Sequence, residues 1–306
     1  MGCGRRGRSG RHAASNPPRS WSGPPGVGAD GHPVAAPIQP RGRGIADEGG
    51  ARLSNVLVLT PAKNAAHEAP GFVDRLLALT YPRERLSLGM LVSDSDDGTA
   101  DAFRRETHRL VDGGWHAVDI WQRDFGYRIP EGLPRWAPEI QLERRRILAL
   151  SRNHLLFNAL TPAIDWVLWV DVDVVEYQPD IIELLLALGR DILQPHCVTE
   201  WGGPTFDLNA WRDHGRLHLD DLRDEGFLVP LDAVGGTMLL VRADCHRDGL
   251  IWPAFRYGLA NPRVRTDPAQ IGRPELGEIE TEGLGVMAHD MGITPWGLPH
   301  VEIRHR

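Results

Sequence analysis

The sequence predicts an α/β protein with a mostly parallel sheet flanked by helices on both faces. Three observations carry this. From residue 54 onward, short apolar runs alternate with longer amphipathic stretches, the rhythm of successive βαβ units. The runs are apolar almost throughout, as strands covered on both faces require. Three of them end in polar clusters, at residues 60–64, 93–98 and 171–173. Ligands of such sheets sit at the carboxyl ends of the strands.

The elements follow in order. Residues 55–60 form a first strand closed by Pro61. Residues 67–80, with Phe72, Val73, Leu76, Leu77 and Leu79, form an amphipathic helix. Residues 86–92 are a second strand, ended by Ser93-Asp94-Ser95-Asp96-Asp97-Gly98-Thr99, and 99–112 a helix. Residues 118–122 are a third strand. The clearest helix spans 139–160, with Ile140, Ile147, Leu148, Leu150, Leu155, Leu156 and Ala159, and Pro162 ends it. Residues 166–170 are the next strand, 180–188 a helix stopped by Gly189, and 191–195 a short strand. Beyond 196 the text is rich in Gly, Pro and Trp, and only 236–241 and 301–304 read as strands. No internal repeat is present.

Composition bounds the function. The chain has 306 residues, 42% of them hydrophobic, and a net charge of -7, which gives no reason to expect nucleic acid. Residues 1–50 hold 12 Gly and 7 Pro, and seven Arg against three acids. Such a segment cannot offset its ordering entropy, so the expected organisation is a disordered Gly/Pro/Arg-rich tail over 1–50 and a single domain over 51–306. Cys3, Cys197 and Cys245 are far apart, odd in number and without Cys-x-x-Cys spacing, which argues against a disulfide framework or zinc motif and fits a reducing compartment. No apolar run is long enough to span a bilayer and no secretory h-region is present. The expected location is cytoplasmic, or peripheral to the cytoplasmic face of a membrane.

The most informative stretch is residues 165–176, an apolar strand running into Asp171-Val172-Asp173. In a strand, i and i+2 share a face. Two carboxylates there repel each other and resist desolvation, and a divalent cation relieves both costs. All-oxygen ligands favour Mn²⁺ or Mg²⁺ over Zn²⁺. Solvated acids at a strand end are the plainer alternative.

Other candidates surround it. Asp94 can hold a ribose or base edge, whereas Asp96 and Asp97 suit an Asx-turn before the helix. Arg145 and Arg152 are seven apart, near one helical face, and suit diphosphate or the acids of the site. Arg152-Asn153 interrupts an apolar pattern, while Arg144 and Arg146 read as an exposed basic face. Gly235-Gly236-Thr237 permits close backbone approach. Residues 279–285 read as an acidic turn in which Glu280 or Glu282 could take or orient a proton. His300 and His305 flank the last strand, and either could complete a metal site. Of ten Trp, Trp211 and Trp252 are the candidates for sugar stacking.

Together these residues resemble a GT-A glycosyltransferase, in particular the Anp1/Mnn9 family of mannosyltransferases. The similar text includes residues 57–63, the Leu79-Thr80-Tyr81-Pro82 turn, residues 87–99, Arg152-Asn153 and residues 165–176. Residues 206–211, 234–244, 280–285 and 298–305 follow in family order, so the resemblance covers roughly 54–305. It implies a GT-A fold and retaining transfer of mannose from GDP-mannose to a mannose-containing glycan acceptor. It also implies a divalent metal, usually Mn²⁺, with Asp171, Asp173 and His305 as its ligands. Thr60, Pro61, Lys63, Asp94, Arg152 and Asn153 would meet the donor, and Asp207, Asn209 and Gly235–Thr237 the sugar and acceptor. Fungal relatives carry a membrane anchor and work in the Golgi in multi-subunit assemblies. No such anchor stands in this sequence, and homo- or hetero-oligomers are both open.

Two rival readings share some of these residues. A haloacid-dehalogenase-type phosphatase also runs an apolar strand into Asp-x-Asp, but needs a later Lys, and no Lys follows Lys63. A non-catalytic subunit that binds sugar nucleotide is the other.

Overall fold

The computed structural model of the chain describes residues 53–259, 261–264 and 277–306. The tail expected over 1–50 lies outside the described residues. The ordered elements are β1 (Val56–Ala62), α1 (Ala69–Ala78), β2 (Leu86–Val92), α2 (Thr99–Asp112), β3 (Ala117–Gln122), α3 (Pro138–Ala159), β4 (Trp166–Val170) and β5 (Val174–Glu176). They continue with α4 (Ile181–Ala187), β6 (Ile192–Val198), β7 (Val229–Pro230), β8 (Met238–Arg242), α5 (Ala243–Arg247), α6 (Glu280–Asp290) and β9 (Trp296–His305).

One sheet unites the strands in the order β3-β2-β1-β4-β8-β6-β9-β5, with β7 beside β9. The first four strands are all parallel. β8 inserts antiparallel between β4 and β6, and β9 restores a parallel pair with β6. The expected α/β class, with a mostly parallel sheet flanked by helices, is therefore present.

Alternation along the strands sorts the core into two layers. Val56 and Val58 of β1, Leu88 and Met90 of β2, and Leu168 and Val170 of β4 pack with Phe72 and Leu76 of α1, Phe103 of α2 and Ile181 of α4. Leu57, Leu59, Val167 and Trp169 face the other way, onto Leu155 and Leu156 of α3 and Leu284 of α6.

Several boundaries differ from expectation, each for a local reason. β1 runs through Pro61, because pairing with β4 ends at Leu59 and no donor is needed on that side. β6 likewise passes Pro195, beyond its pairing with β8, and shifts register against β9 there. β9 is ten residues long and includes the exposed His300, which therefore lies within the strand rather than beside it. The acidic turn expected over 279–285 is instead the start of α6. Its glycines serve packing: a Cβ on Gly285 would stand 2.6 Å from the Cα of Ala233.

Candidate active site

The polar ends of β1, β2 and β4 meet at a cleft of two lobes. One is about 390 Å³ and is lined by Pro61, Lys63, Asn64, Asp94, Tyr127 and Ser151, among others. The second is about 350 Å³ and is lined by Trp136, Asp207, Asn209, Gly236, Thr237, Glu280 and His305, among others. Arg135, Arg144, Leu148, Arg152, Asp171 and Asp173 line both.

At the junction, sheet pairing explains the geometry. β5 turns back against β9, so Val174 pairs with His305 and the Arg306 N–H donates to the Asp173 carbonyl at 3.1 Å. This brings His305 Nε2 to 3.2 Å from Asp173 Oδ1. Phe206 stacks on the His305 ring, with centroids 4.2 Å apart. Burial works against charge on His305, but the Asp173 hydrogen bond and charge outweigh it and raise its pKa. Burial also works against charge on Asp173, and the same contact holds that carboxyl below the usual range. Burial pushes Asp171 up to about 7, against the pull of Arg152 and with help from the Asp173 and Asp207 charges.

Arg152 Nη2 lies 3.1 Å from Asp171 Oδ1 and donates to the Gly236 carbonyl at 3.4 Å. Its guanidinium lies over the Trp252 ring. Behind it, Arg152 and Arg145 form a buried network with Glu280 and Glu282. Arg152 pairs with Glu280, and Arg145 with both acids, donating also to the Ile279 carbonyl at 2.7 Å. Burial pulls Arg145 down to about 10, so it stays charged near neutrality. Glu280 holds a left-handed φ of 59° at the first residue of α6, a conformation that persists only where surroundings impose it.

These contacts correct the catalytic reading of Glu280 and Glu282. Both carboxylates are spent on arginines, and Glu282 does not line the cleft. Their contacts are with Arg145 and Arg152.

Asp94 carries the other lobe. It too has a left-handed backbone, with φ 52°. Its Oδ1 accepts from the N–H groups of Phe125, Gly126 and Tyr127 at 3.0, 2.9 and 3.2 Å, and from Arg128 at 3.0 Å. Its Oδ2 is buried and unpartnered, as is the Tyr127 hydroxyl. A buried acceptor left unpaired is costly unless a ligand meets it. Lys63 Nζ donates to the Tyr127 carbonyl at 3.0 Å, and burial lowers its pKa. Asp97 forms the expected Asx-turn, accepting from the Thr99 N–H at 3.0 Å.

The remaining candidates divide. Asp207 Oδ2 accepts from the N–H groups of Gly236 and Thr237 and from the Thr237 hydroxyl, at 2.9, 3.2 and 3.0 Å. Gly235 is required there, since a Cβ would stand 2.0 Å from that oxygen. Asn153 is not at the cleft: its amide bonds both backbone groups of Trp252, at 2.6 and 2.9 Å. Thr60 is fully buried and lines neither lobe. Trp211 and Trp252 are fully buried as well, which removes them as sugar platforms. Arg144, read as an exposed face, lines both lobes, whereas Arg146 is exposed and pairs with Glu143. Arg135, Trp136, Tyr127 and Arg128 went unread because 123–137 has no periodicity to mark it.

Asp171, Asp173 and His305 line one cavity, and two carboxylates with an imidazole suit Mn²⁺ or Mg²⁺. Among the described residues no group of three or more His, Cys, Asp or Glu is arranged to hold a metal ion. Asp173 and His305 touch each other, and Asp171 is turned to Arg152. The donor chemistry fits a divalent cation.

Known proteins resemble this chain. A mannan polymerase II complex anp1 subunit of Schizosaccharomyces pombe is 30% identical over an alignment covering 82% of this chain and 63% of its own length. The chain thus spans less than two thirds of that relative. A mannan polymerase complex subunit mnn9 of the same yeast is 30% identical, covering 82% of this chain and 79% of its own. Among solved structures, a mannosyltransferase of Pyrobaculum calidifontis in complex with GDP-Man and Mn²⁺ is similar with a TM-score of 0.49. It is 15% identical and covers 83% of this chain and 57% of its own. The Anp1 family matches residues 46–222, more than half of the sequence. The chain belongs to the Anp1 family.

Proposed function

We propose that the cleft transfers mannose from GDP-mannose to a mannose-containing acceptor, with retention of configuration and with Mn²⁺ or Mg²⁺ bound. The observation that carries this reading is the meeting of Asp171, Asp173, His305 and Arg152 beside a lobe in which Asp94 Oδ2 has no partner.

The nucleoside is assigned to the Asp94 lobe, where the free Oδ2 accepts N–H or O–H groups and Lys63 and Arg128 supply positive charge. The diphosphate lies at the junction, against Arg152. Asp171, Asp173 and His305 would hold the cation. When bound, it supplies Lewis-acid stabilisation of charge growing on the leaving diphosphate. Arg152, oriented by Glu280 and desolvated by Trp252, adds a fixed cation at the same place. Because Glu280 and Glu282 are engaged by arginines, neither serves as base, and the acceptor proton passes to the departing phosphate on the same face.

A screen of GDP and UDP sugars with and without Mn²⁺, following thermal shift and nucleoside diphosphate release, tests this. GDP-mannose with Mn²⁺ is expected to give both signals. Asp173→Ala is expected to abolish metal-dependent release while the fold melts cooperatively, and near-normal release by that variant would defeat the reading.

A second reading has one observation in its favour: both yeast relatives are named as complex subunits. A non-catalytic sugar-nucleotide-binding subunit would bind GDP-mannose in calorimetry without hydrolysing or transferring it. The subunit names of these relatives favour an assembly for this chain as well, with homo- and hetero-oligomers both open. Among the described residues no helix is long and apolar enough to cross a membrane. The phosphatase rival falls with family membership.

A further inference from the structure

Trp136 is 76% exposed, yet it lines the same lobe as Asp171, Asp173 and Glu280. We propose that Trp136, with Leu208 and Asn209, forms the acceptor subsite, and that its ligand is a pyranose ring of a saccharide acceptor stacked on the indole. This rests on the glycosyl-transfer reading above and deepens it.

An exposed indole is ordinarily a loosely held surface group. Here its backbone is fixed from below. The buried Gln141 side chain donates to the Arg135 carbonyl at 2.7 Å and to the Ala137 carbonyl at 3.1 Å, one bond on each side of Trp136. The Ala137 N–H also donates to the Pro134 carbonyl at 3.0 Å, closing a turn around Trp136. A platform held this way has already lost much of the backbone entropy that binding would otherwise remove.

The surrounding chemistry selects the ligand. A pyranose presents an apolar C–H face that suits an aromatic face, and a rim of hydroxyls that need donors and acceptors. Leu208, 51% exposed, extends the apolar surface of the lobe. Asn209 uses its backbone N–H on Asp207, while its side-chain amide has no partner among the described residues and offers both a donor and an acceptor. A lipid chain would need a continuous apolar groove, whereas here apolar groups are interleaved with Gln141, Asn209 and Thr281. A nucleobase is better served by the unpaired Asp94 oxygen in the other lobe.

The test uses the full chain and α-linked mannobiose as probe. Saturation-transfer NMR in the presence of GDP and Mn²⁺ reads saccharide binding, and steady-state transfer reads the acceptor KM. Trp136→Ala is expected to raise the acceptor KM about tenfold, with GDP-mannose KM changed less than about twofold, and Trp136→Phe is expected to recover most of the loss. Phe157→Ala removes an exposed aromatic from the far end of α3 and controls for loss of surface apolar area. If mannobiose binds in a Trp136-dependent way but no GDP-mannose is turned over, the inference stands and catalysis falls. If transfer occurs and Trp136→Ala leaves the acceptor KM unchanged, or shifts both KM values equally, the inference is overturned while the function stands. If the wild type binds no mannobiose, the inference is likewise overturned.

Discussion

The two halves of the sheet meet at the cleft but build their share of it differently. In the half formed by β3, β2, β1 and β4, three site residues come just after a strand end: Lys63 after β1, Asp94 after β2 and Asp171 after β4. In the half beyond β8, the site is assembled from distant segments. His305 arrives on a ten-residue strand that ends beside Asp173, and Glu280 on a helix pressed against residues 233–234. Function in the first half rests on turns, and in the second on long-range packing. Substitutions at the second half are therefore expected to couple stability to the site, while those in the first are expected to separate the two.

The largest effect is expected where charge is buried in the second half. Glu282→Ala leaves the buried Arg145 short of a counter-charge, and breaking such a pair costs about 3–5 kcal/mol. Urea denaturation would read this as a lowered midpoint with unchanged slope. Replacing both partners together, Arg145→Met with Glu282→Leu, is expected to recover much of the loss. The first-half counterpart is the exposed Arg109–Asp74 pair at 2.7 Å, where Asp74→Asn is expected to leave the midpoint unmoved. Equal losses at the two sites would break the comparison.

Acid should probe the same half. His246 is buried and neutral: its Nδ1 donates to the Leu250 carbonyl at 2.7 Å and its Nε2 accepts from the Trp169 indole at 3.4 Å. Burial pushes its pKa down to about 4. The unfolded chain titrates near 6.5, so above that pH both states are neutral and the contribution is complete. As pH falls from about 6.5 to 4, the unfolded state binds a proton that the native state refuses, and stability declines by about 3 kcal/mol. His246→Gln is expected to flatten that part of the stability-versus-pH curve.

What the sequence disclosed follows the same division. The apolar runs of β1, β2 and β4 are legible because both faces of each strand are covered, and Asp171 and Asp173 stand out against them. α6 is not legible, because Gly283 and Gly285 look like turn residues until the backbone they approach is known. β9 hides its first half behind Gly297, Pro299 and His300. Among the residues at the last strand, only family resemblance sets His305 apart from His300, since nothing near it in sequence carries its partner Asp173. Trp136 lies in an aperiodic stretch, where exposure and cleft lining are facts of three dimensions alone.

The smallest expected effect sharpens the contrast, because it applies one added methyl to each half. On Gly89 of β2 a Cβ would stand 2.7 Å from Leu59 Cδ2 and 3.1 Å from Ala159 Cβ. Those neighbours are side-chain atoms, and Leu59 can rotate away, so Gly89→Ala is expected to cost about 1 kcal/mol, the low end of overpacking. On Gly285 of α6 the new Cβ meets backbone: Ala233 Cα at 2.6 Å and Val234 N at 3.0 Å. Backbone cannot rotate aside, so the helix must move. Even after the gain of about 1 kcal/mol that Ala brings to a helix interior, a net loss of about 1–3 kcal/mol is expected. A displaced α6 also carries Glu280 and Glu282 away from Arg152 and Arg145. Gly285→Ala should therefore weaken the proposed GDP-mannose turnover as well as stability, whereas Gly89→Ala should change stability alone. If Gly89→Ala impaired turnover and Gly285→Ala did not, the site would depend on local turns throughout, and the distinction between the halves would fail.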